Sequence, residues 1–561
     1  MTSKLKGMKK NLTNYGDQEF SIFLRKAFIK GLGYSDDMLE KPIIGITNTY
    51  SDFNPCHGNI IELIKSVKSG ILSSGAIPLE FPTITIHESF AHPTSMYLRN
   101  LMSIDTEEML RAQPMDACVL IGGCDKTVPA QLMGGLSSNI PFIQLVTGPM
   151  LTGSFKGERV GACTDCRRFW AAYRAEEINE EDINNVSNQL VPTVGTCGVM
   201  GTASTMAILT EALGLMIPSG ACAPAVSSER RRIAEKTGVE AVRIAKSKHI
   251  PRDYINIKNF ENALITLSAI GGSTNGLVHL TAIAGRIGQK IDMKRFDELT
   301  RDIPMIVDLK PSGIGYMEDL YNAGGVPRIL YEIKDYLNLD VMTVTGKKLG
   351  ELINNNKWKQ NIIKTKDNPI FKKGSIAVLF GNIAPRSAII KQSAASEDLL
   401  YHEGKAVVFK GLEDLANRID SEELDVDKNS VLILQNIGPR TAPGMPEAGL
   451  IPIPKKLAKV GVKDMVRISD GRMSGTASGT IILHVCPETD ENDIFSIIKD
   501  GDLIRLDVKN RSINLLIDKD EIENRISKKS KTQFTERRGY NKLFMSHVMQ
   551  ADEGVDFDFL I

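Results

Sequence analysis

The first third of this chain alternates short apolar runs with amphipathic stretches, and several of those runs close on turns that hold a cysteine. That rhythm limits the fold more than any other feature. Pro42-Ile43-Ile44-Gly45-Ile46 predicts a buried strand leading into the loop with Cys56, and residues 59–74 then place Ile60, Ile64, Val67 and Ile71 at helical spacing. Residues 116–121 predict another strand, ending in Gly122-Gly123-Cys124, and residues 140–146 a third, closed by Gly148-Pro149. Helical patterns cover 104–113, 202–214 and 228–246. Alternating β and α elements predict an α/β fold with a largely parallel sheet, helices on both faces, and reactive loops at the strand C-termini.

After about Pro369 the texture changes to short strands with few long helices between them, predicted over 375–380, 406–409, 431–435, 465–468, 480–485, 503–508 and 513–517. With 561 residues, two large domains are expected. These are a layered α/β domain over 1–368 and a smaller β-rich domain over 369–561. The polar stretch 354–373 reads as the linker, and the basic 526–538 segment as a solvated connection to the C-terminal tail.

Basic and acidic side chains number 68 each and cancel, which argues against a nucleic-acid or membrane-surface partner. Residues 1–16 have no apolar core of a secretory signal, and no stretch approaches the 18–20 or so apolar residues of a membrane span. A cytoplasmic enzyme is expected. Eight cysteines in a chain of this length point to metal or redox use rather than a disulfide framework.

Three of them sit in turns: Asn54-Pro55-Cys56-His57, Gly122-Gly123-Cys124-Asp125-Lys126 and Gly195-Thr196-Cys197-Gly198. Soft thiolates suit iron–sulfur clusters, and three rather than four leave one iron free to act as a Lewis acid. Inert core cysteines are the bland alternative. Glu88, Asp125 and Glu447 lie in loops that glycine or proline stiffens, the kind of hard oxygen set an octahedral Mg²⁺ requires. Lys126 would have to be neutral or carboxylated to join them. Ser474 follows Asp470-Gly471-Arg472-Met473 and reads as a cap, a nucleophile or a base; it lacks a hydrolase frame. Cys163-Thr164-Asp165-Cys166 is the single CxxC and reads as incidental, with a zinc or dithiol site as the alternative. Cys118, Cys222 and Cys486 read as packing residues, and His57 and His87 as neighbours of ligands.

These strings resemble the dihydroxy-acid and sugar-acid dehydratase family along nearly the whole chain. The resemblance rests on Gly45-Ile46-Thr47-Asn48-Thr49 through Cys56, Glu80-Phe81-Pro82-Thr83, Gly122 to Thr127, Gly201 to Met206 and Gly271 to Asn275, with Pro443 to Glu447 and Asp470 to Gly475 in the C-terminal half. It implies an iron–sulfur cluster on Cys56, Cys124 and Cys197, [2Fe–2S] with [4Fe–4S] the alternative. It also implies Mg²⁺ on Glu88, Asp125, carboxylated Lys126 and Glu447, with Ser474 as the base and Thr476 binding substrate. The implied assembly is a homodimer or homotetramer with its active site between an α/β and a β-rich domain. Met473, Arg538-Gly539-Tyr540 and the tail from Gln550 to Leu560 resemble the sugar-acid members, whereas Gly471, Pro446 and Thr164-Asp165-Cys166 resemble the branched-chain biosynthetic ones. The expected reaction is loss of water from a small 2,3-dihydroxy carboxylate, first an aldonate and second 2,3-dihydroxyisovalerate; phosphogluconate is a further possibility within the family. A non-catalytic iron–sulfur sensor is the rival of another class.

Overall fold

The computed structural model describes residues 6–12, 15–354, 360–529 and 538–561. Strands β1 (Ile43–Asn48), β2 (Ile77–Pro82), β3 (Ala117–Gly122) and β4 (Phe142–Val146) form a sheet of order β2-β1-β3-β4, parallel throughout. The helices that matter for the site are α1 (Ile60–Ser73), α2 (Ser95–Ala112), α3 (Thr127–Ser138), α4 (Thr164–Arg174), α5 (Thr202–Ala212), α6 (Ser228–Ser247) and α7 (Asn275–Gly285).

The two-residue period of the strands splits the sheet's side chains between two cores. Ile44, Ile46, Val119 and Ile121 pack with Ile64 and Val67 of α1 and Ile233 and Val242 of α6. Ile43, Cys118 and Leu120 pack with Val128 and Leu132 of α3, and with α5 and α7 behind it. Both faces are therefore dry, which is why these strands read as continuous apolar runs. Burying Val119 and Ile121 contributes roughly 1.5–3 kcal/mol each.

A two-stranded hairpin, β5 (Gly153–Phe155) and β6 (Glu158–Val160), precedes α4. The C-terminal half is built on eight strands: β7 (Ala377–Leu379), β8 (Ser387–Ile390), β9 (Tyr401–Lys410), β10 (Val431–Gln435), β11 (Arg467–Ser469), β12 (Ile481–Cys486), β13 (Leu503–Asp507) and β14 (Ser512–Leu515). Their order is β14-β13-β9-β10-β11-β12-β8-β7, with a parallel block β9-β10-β11-β12 flanked by antiparallel strands. The mixed α/β class and the β-rich second half agree with the sequence reading.

Local expectations needed correction. Strand β8 was not foreseen, because it is four residues long and follows a Gly- and Pro-punctuated loop. Residues 83–87, Thr-Ile-Thr-Ile-His, alternate polar and apolar as a strand would, but form a loop. Its polar side chains serve the neighbouring loops: Asn54 Nδ2 donates to Thr85 Oγ1 at 2.9 Å, and Thr85 Oγ1 lies 3.0 Å from His57 Nδ1. The predicted linker is not a free tether, since Ile363 and Phe371 bridge to Val307 and Met305; its residues 355–359, and 530–537 of the basic connection, lie outside the described residues. The tail returns to α2, where Arg99 donates to the carbonyls of Gly554 and Val555 at 2.8 and 2.9 Å. Among the described residues no helix is long and apolar enough to cross a membrane.

Candidate active site

Loops after β1, β3 and β4 interlock at the C-terminal edge of the parallel sheet. His57 does much of this. Its Nδ1 lies 2.8 Å from the carbonyl of Thr49, which makes Nδ1 the protonated nitrogen. Nε2 is then free to accept the amide N–H groups of Gly123 and Cys124, at 2.8 and 3.1 Å. Burial pushes the imidazole down to about 4 and keeps it neutral. The Cys56 loop is also tied to the Cys197 loop, because the amide of Gly195 donates to the carbonyl of Pro55 at 3.2 Å. Thr196 in turn pairs with Pro149 beyond β4. A Cβ on Gly123 would lie 1.7 Å from Thr147 Oγ1, so only glycine lets the Cys124 loop sit this low.

Cys56, Cys124 and His87 bring Sγ, Sγ and a ring nitrogen within 4.8 Å of one another. Cys197 is nearby, and Cys163, the residue that caps α4, lies with Sγ 3.3 Å from Cys197 Sγ. The sequence reading set Cys163 aside as incidental; the fold brings it to the site. The hydrogen bond with Cys124, together with burial, pushes the Cys56 thiol well up. Cys163 moves the other way, held well down by hydrogen bonds from Cys166 and Cys197.

The carboxylates of Glu88, Asp125 and Glu447 converge within 4.8 Å of one another beside the thiols. Cys124 Sγ lies 3.3 Å from Asp125 Oδ1, so the soft and hard donors share a wall. Glu88 is held by the hydroxyls of Thr94, at 2.7 Å, and Ser95. Lys126 is fully buried, with Nζ bonded to Asp125 and 3.7 Å from Glu88 Oε2. Arg472 is the second buried cation. It donates to Glu447 Oε1 at 2.5 Å, to Glu88 Oε2 at 3.1 Å and to Thr94 Oγ1 at 2.7 Å, tying the C-terminal half to the N-terminal half. Burial pushes the Glu88 carboxyl up, but Arg472 and Lys126 outweigh it and hold the group far below the usual range. Burial wins at Glu447 and raises it despite the same arginine. Sequence reasoning included Arg472 in the family strings but gave it no role in the site.

Ser474 lies on a loop anchored on either side of it. Two residues before it, Arg472 reaches the carboxylates; two residues after it, the Thr476 carbonyl accepts from Thr164 Oγ1 at 3.0 Å, next to Cys163. Ser474 Oγ is 2.8 Å from Thr476 Oγ1, and Arg167 Nε of α4 is 3.4 Å from that threonine hydroxyl. The loop fits because Gly475 has no side chain: a Cβ there would lie 2.5 Å from Ser273 Cβ. Asn275 donates to the Met473 carbonyl at 3.0 Å and holds the loop from below.

The N-terminal profile of dihydroxy-acid/6-phosphogluconate dehydratases matches residues 41–352, and the C-terminal profile of the same enzymes matches residues 361–555. The chain belongs to the dihydroxy-acid/6-phosphogluconate dehydratase family. Membership makes it a dehydratase of small hydroxy acids. Within the family it is 42% identical to an L-arabonate dehydratase of Azospirillum brasilense, over 98% of this chain and 96% of that one. It is 37% identical to a 6-deoxy-6-sulfo-D-gluconate dehydratase of Pseudomonas putida, over 94% and 91%. A dihydroxy-acid dehydratase of Pyrococcus abyssi is 36% identical, over 95% and 97%.

Proposed function

We propose that this dehydratase acts on an aldonate, removing the C2 proton and the C3 hydroxyl to leave a 2-keto-3-deoxy acid. On this reading Cys56, Cys124 and Cys197 hold a [2Fe–2S] cluster, and Glu88, Asp125, Glu447 and a carboxylated Lys126 hold Mg²⁺. The observation that carries the reading is the shared wall, with Cys124 Sγ 3.3 Å from Asp125 Oδ1. The donors fit the two groups: buried thiols are iron ligands, and three converging carboxylates are Mg²⁺ ligands. When bound, the two groups supply Lewis-acid chemistry, the hard cation at the substrate's carboxylate end and iron at the departing hydroxyl.

The chain's own residues do the rest. Ser474, as alkoxide, takes the C2 proton at Oγ, with the Thr476 hydroxyl turned to donate to it from 2.8 Å. Arg472 holds Glu88 and Glu447 at a fixed separation. His57 fixes the Cys124 backbone. An ammonium cannot coordinate a cation, so Lys126 must lose its charge to join the ligand set, which carboxylation accomplishes.

Two observations favour a sugar acid over a branched aliphatic acid. Thr164, Arg167 and Thr476 place hydrogen-bonding groups beside Ser474, where a hydroxylated chain would use them and an isopropyl group would not. The sugar-acid relatives are also the more similar of those compared. The test is 2-keto acid formation by anaerobically purified protein with Mg²⁺, comparing pentonates with 2,3-dihydroxyisovalerate. Faster turnover of a pentonate is expected; preference for dihydroxyisovalerate overturns the substrate assignment.

A further inference from the structure

Four thiols around the site form two close pairs, and a fifth, Cys166, is hydrogen-bonded to Cys163. Cys56 and Cys124 form one, within 4.8 Å of each other and of His87. Cys163 and Cys197 form the other, with a sulfur–sulfur distance of 3.3 Å. Two thiolates on one tetrahedral ion, each with a metal–sulfur bond of about 2.3 Å, stand roughly 3.7 Å apart. The Cys163–Cys197 spacing is within a few tenths of an ångström of that value. A two-iron cluster with four protein ligands takes two thiolates on each iron. The side that three cysteines would leave one thiolate short is the Cys197 side, and there Cys163 stands. His87 lies on the other side, where two thiolates are already paired.

Cys163 is also held in place. It caps α4, and Asp165, two residues on, is locked by the Gly161 amide at 2.9 Å, the Tyr316 hydroxyl at 2.8 Å and Lys310 Nζ at 2.9 Å. Thr164 is bonded to the Thr476 carbonyl of the Ser474 loop. The helix start that carries the thiol is thus fastened to the loop that carries the base.

We propose that Cys163 is a fourth, displaceable cluster ligand. It closes the cluster in the substrate-free enzyme and yields its position when substrate binds. The inference rests on the cluster assignment made above, and its test separates the two. In anaerobically purified protein, iron and sulfide are counted first; wild-type protein without them defeats the cluster assignment and this inference together. With a cluster present, Cys163→Ser should retain iron and sulfide but change the visible absorption and the electron paramagnetic resonance of the reduced cluster. Cys166→Ser, which alters only a hydrogen bond to Cys163, should shift both spectra much less. Identical spectra for Cys163→Ser and wild type overturn the proposal while the cluster assignment stands; so does a spectral change confined to Cys166→Ser. A measurement on unmodified holoenzyme covers a variant that fails to fold. Brief alkylation with iodoacetamide, mapped by peptide mass spectrometry, should label Cys163 about tenfold more slowly in substrate-free holoenzyme than in the cluster-free protein, and a pentonate should restore the rate. Equal labelling of Cys163 with and without the cluster overturns the proposal.

Discussion

Arg472→Gln tests the electrostatic core of the site. The guanidinium lies 2.5 Å from Glu447 and 3.1 Å from Glu88, and is almost wholly buried. At an effective dielectric near 20, each contact supplies roughly 5–7 kcal/mol of attraction. Part of that is offset by the several kcal/mol needed to desolvate the guanidinium. Removing one partner of such a buried network costs about 3–5 kcal/mol, because the charges left behind stay buried and unbalanced. The assay is thermal unfolding in EDTA and again in saturating Mg²⁺. We expect a clear loss of stability in EDTA and a larger rescue by Mg²⁺ in the variant than in wild type, since the cation replaces the missing positive charge. Adding Glu447→Gln to the variant should recover part of the loss. A variant that melts like wild type in EDTA, or two substitutions that simply add, would refute this account of Arg472.

Ser474→Ala should retain iron, sulfide and Mg²⁺ binding while kcat falls roughly 10³-fold, as loss of a general base does; a wild-type rate removes the serine from that role. Glu447→Gln should raise the Mg²⁺ concentration needed for half-maximal activity by about tenfold, whereas an unchanged titration argues against its being a ligand. Stability should fall on the acid side. Burial depresses His57 to about 4 and His484 to about 3. A histidine depressed in the folded state costs nothing above its unfolded value near 6.5. It costs progressively more as pH falls toward its folded value, roughly 2 kcal/mol at pH 5 for each of the two. Melting temperatures that stay flat from pH 7 to pH 5 would contradict this, and His57→Gln should flatten the curve in part.

Strands β1, β3 and β4 were legible because they are buried on both faces, and a run such as residues 117–122 permits little else; β2, which exposes Glu80 and Pro82, was not foreseen. The turns around Cys56 and Cys124 and the loops of Glu88, Asp125 and Glu447 were weak signals taken singly; the family resemblance grouped them, and the fold brings each group within 4.8 Å. Cys163 was not, because its significance is a distance to Cys197, 34 residues away, that only the interlocking loops create. Arg472 was missed for a related reason: its partners are 384 and 25 residues distant. The first half of α2 was missed because Arg99 and Asn100 are buried by hydrogen bonding to the returning tail, so its pattern there is not an apolar stripe.

The position of Lys126 has a stoichiometric consequence. Among the site's own side chains, three carboxylates face two cations, one negative charge in excess. On the proposed reading, carbon dioxide converts the Lys126 ammonium to a carbamate, changes its charge by two units and releases two protons. The arriving Mg²⁺ returns those two units, so the excess is unchanged and Arg472 need not move. Metal uptake is then an exchange of one divalent cation for two protons, with carbon dioxide as an obligatory third participant. Activation by Mg²⁺ would acidify an unbuffered solution, steepen as pH rises, and slow when bicarbonate is stripped away.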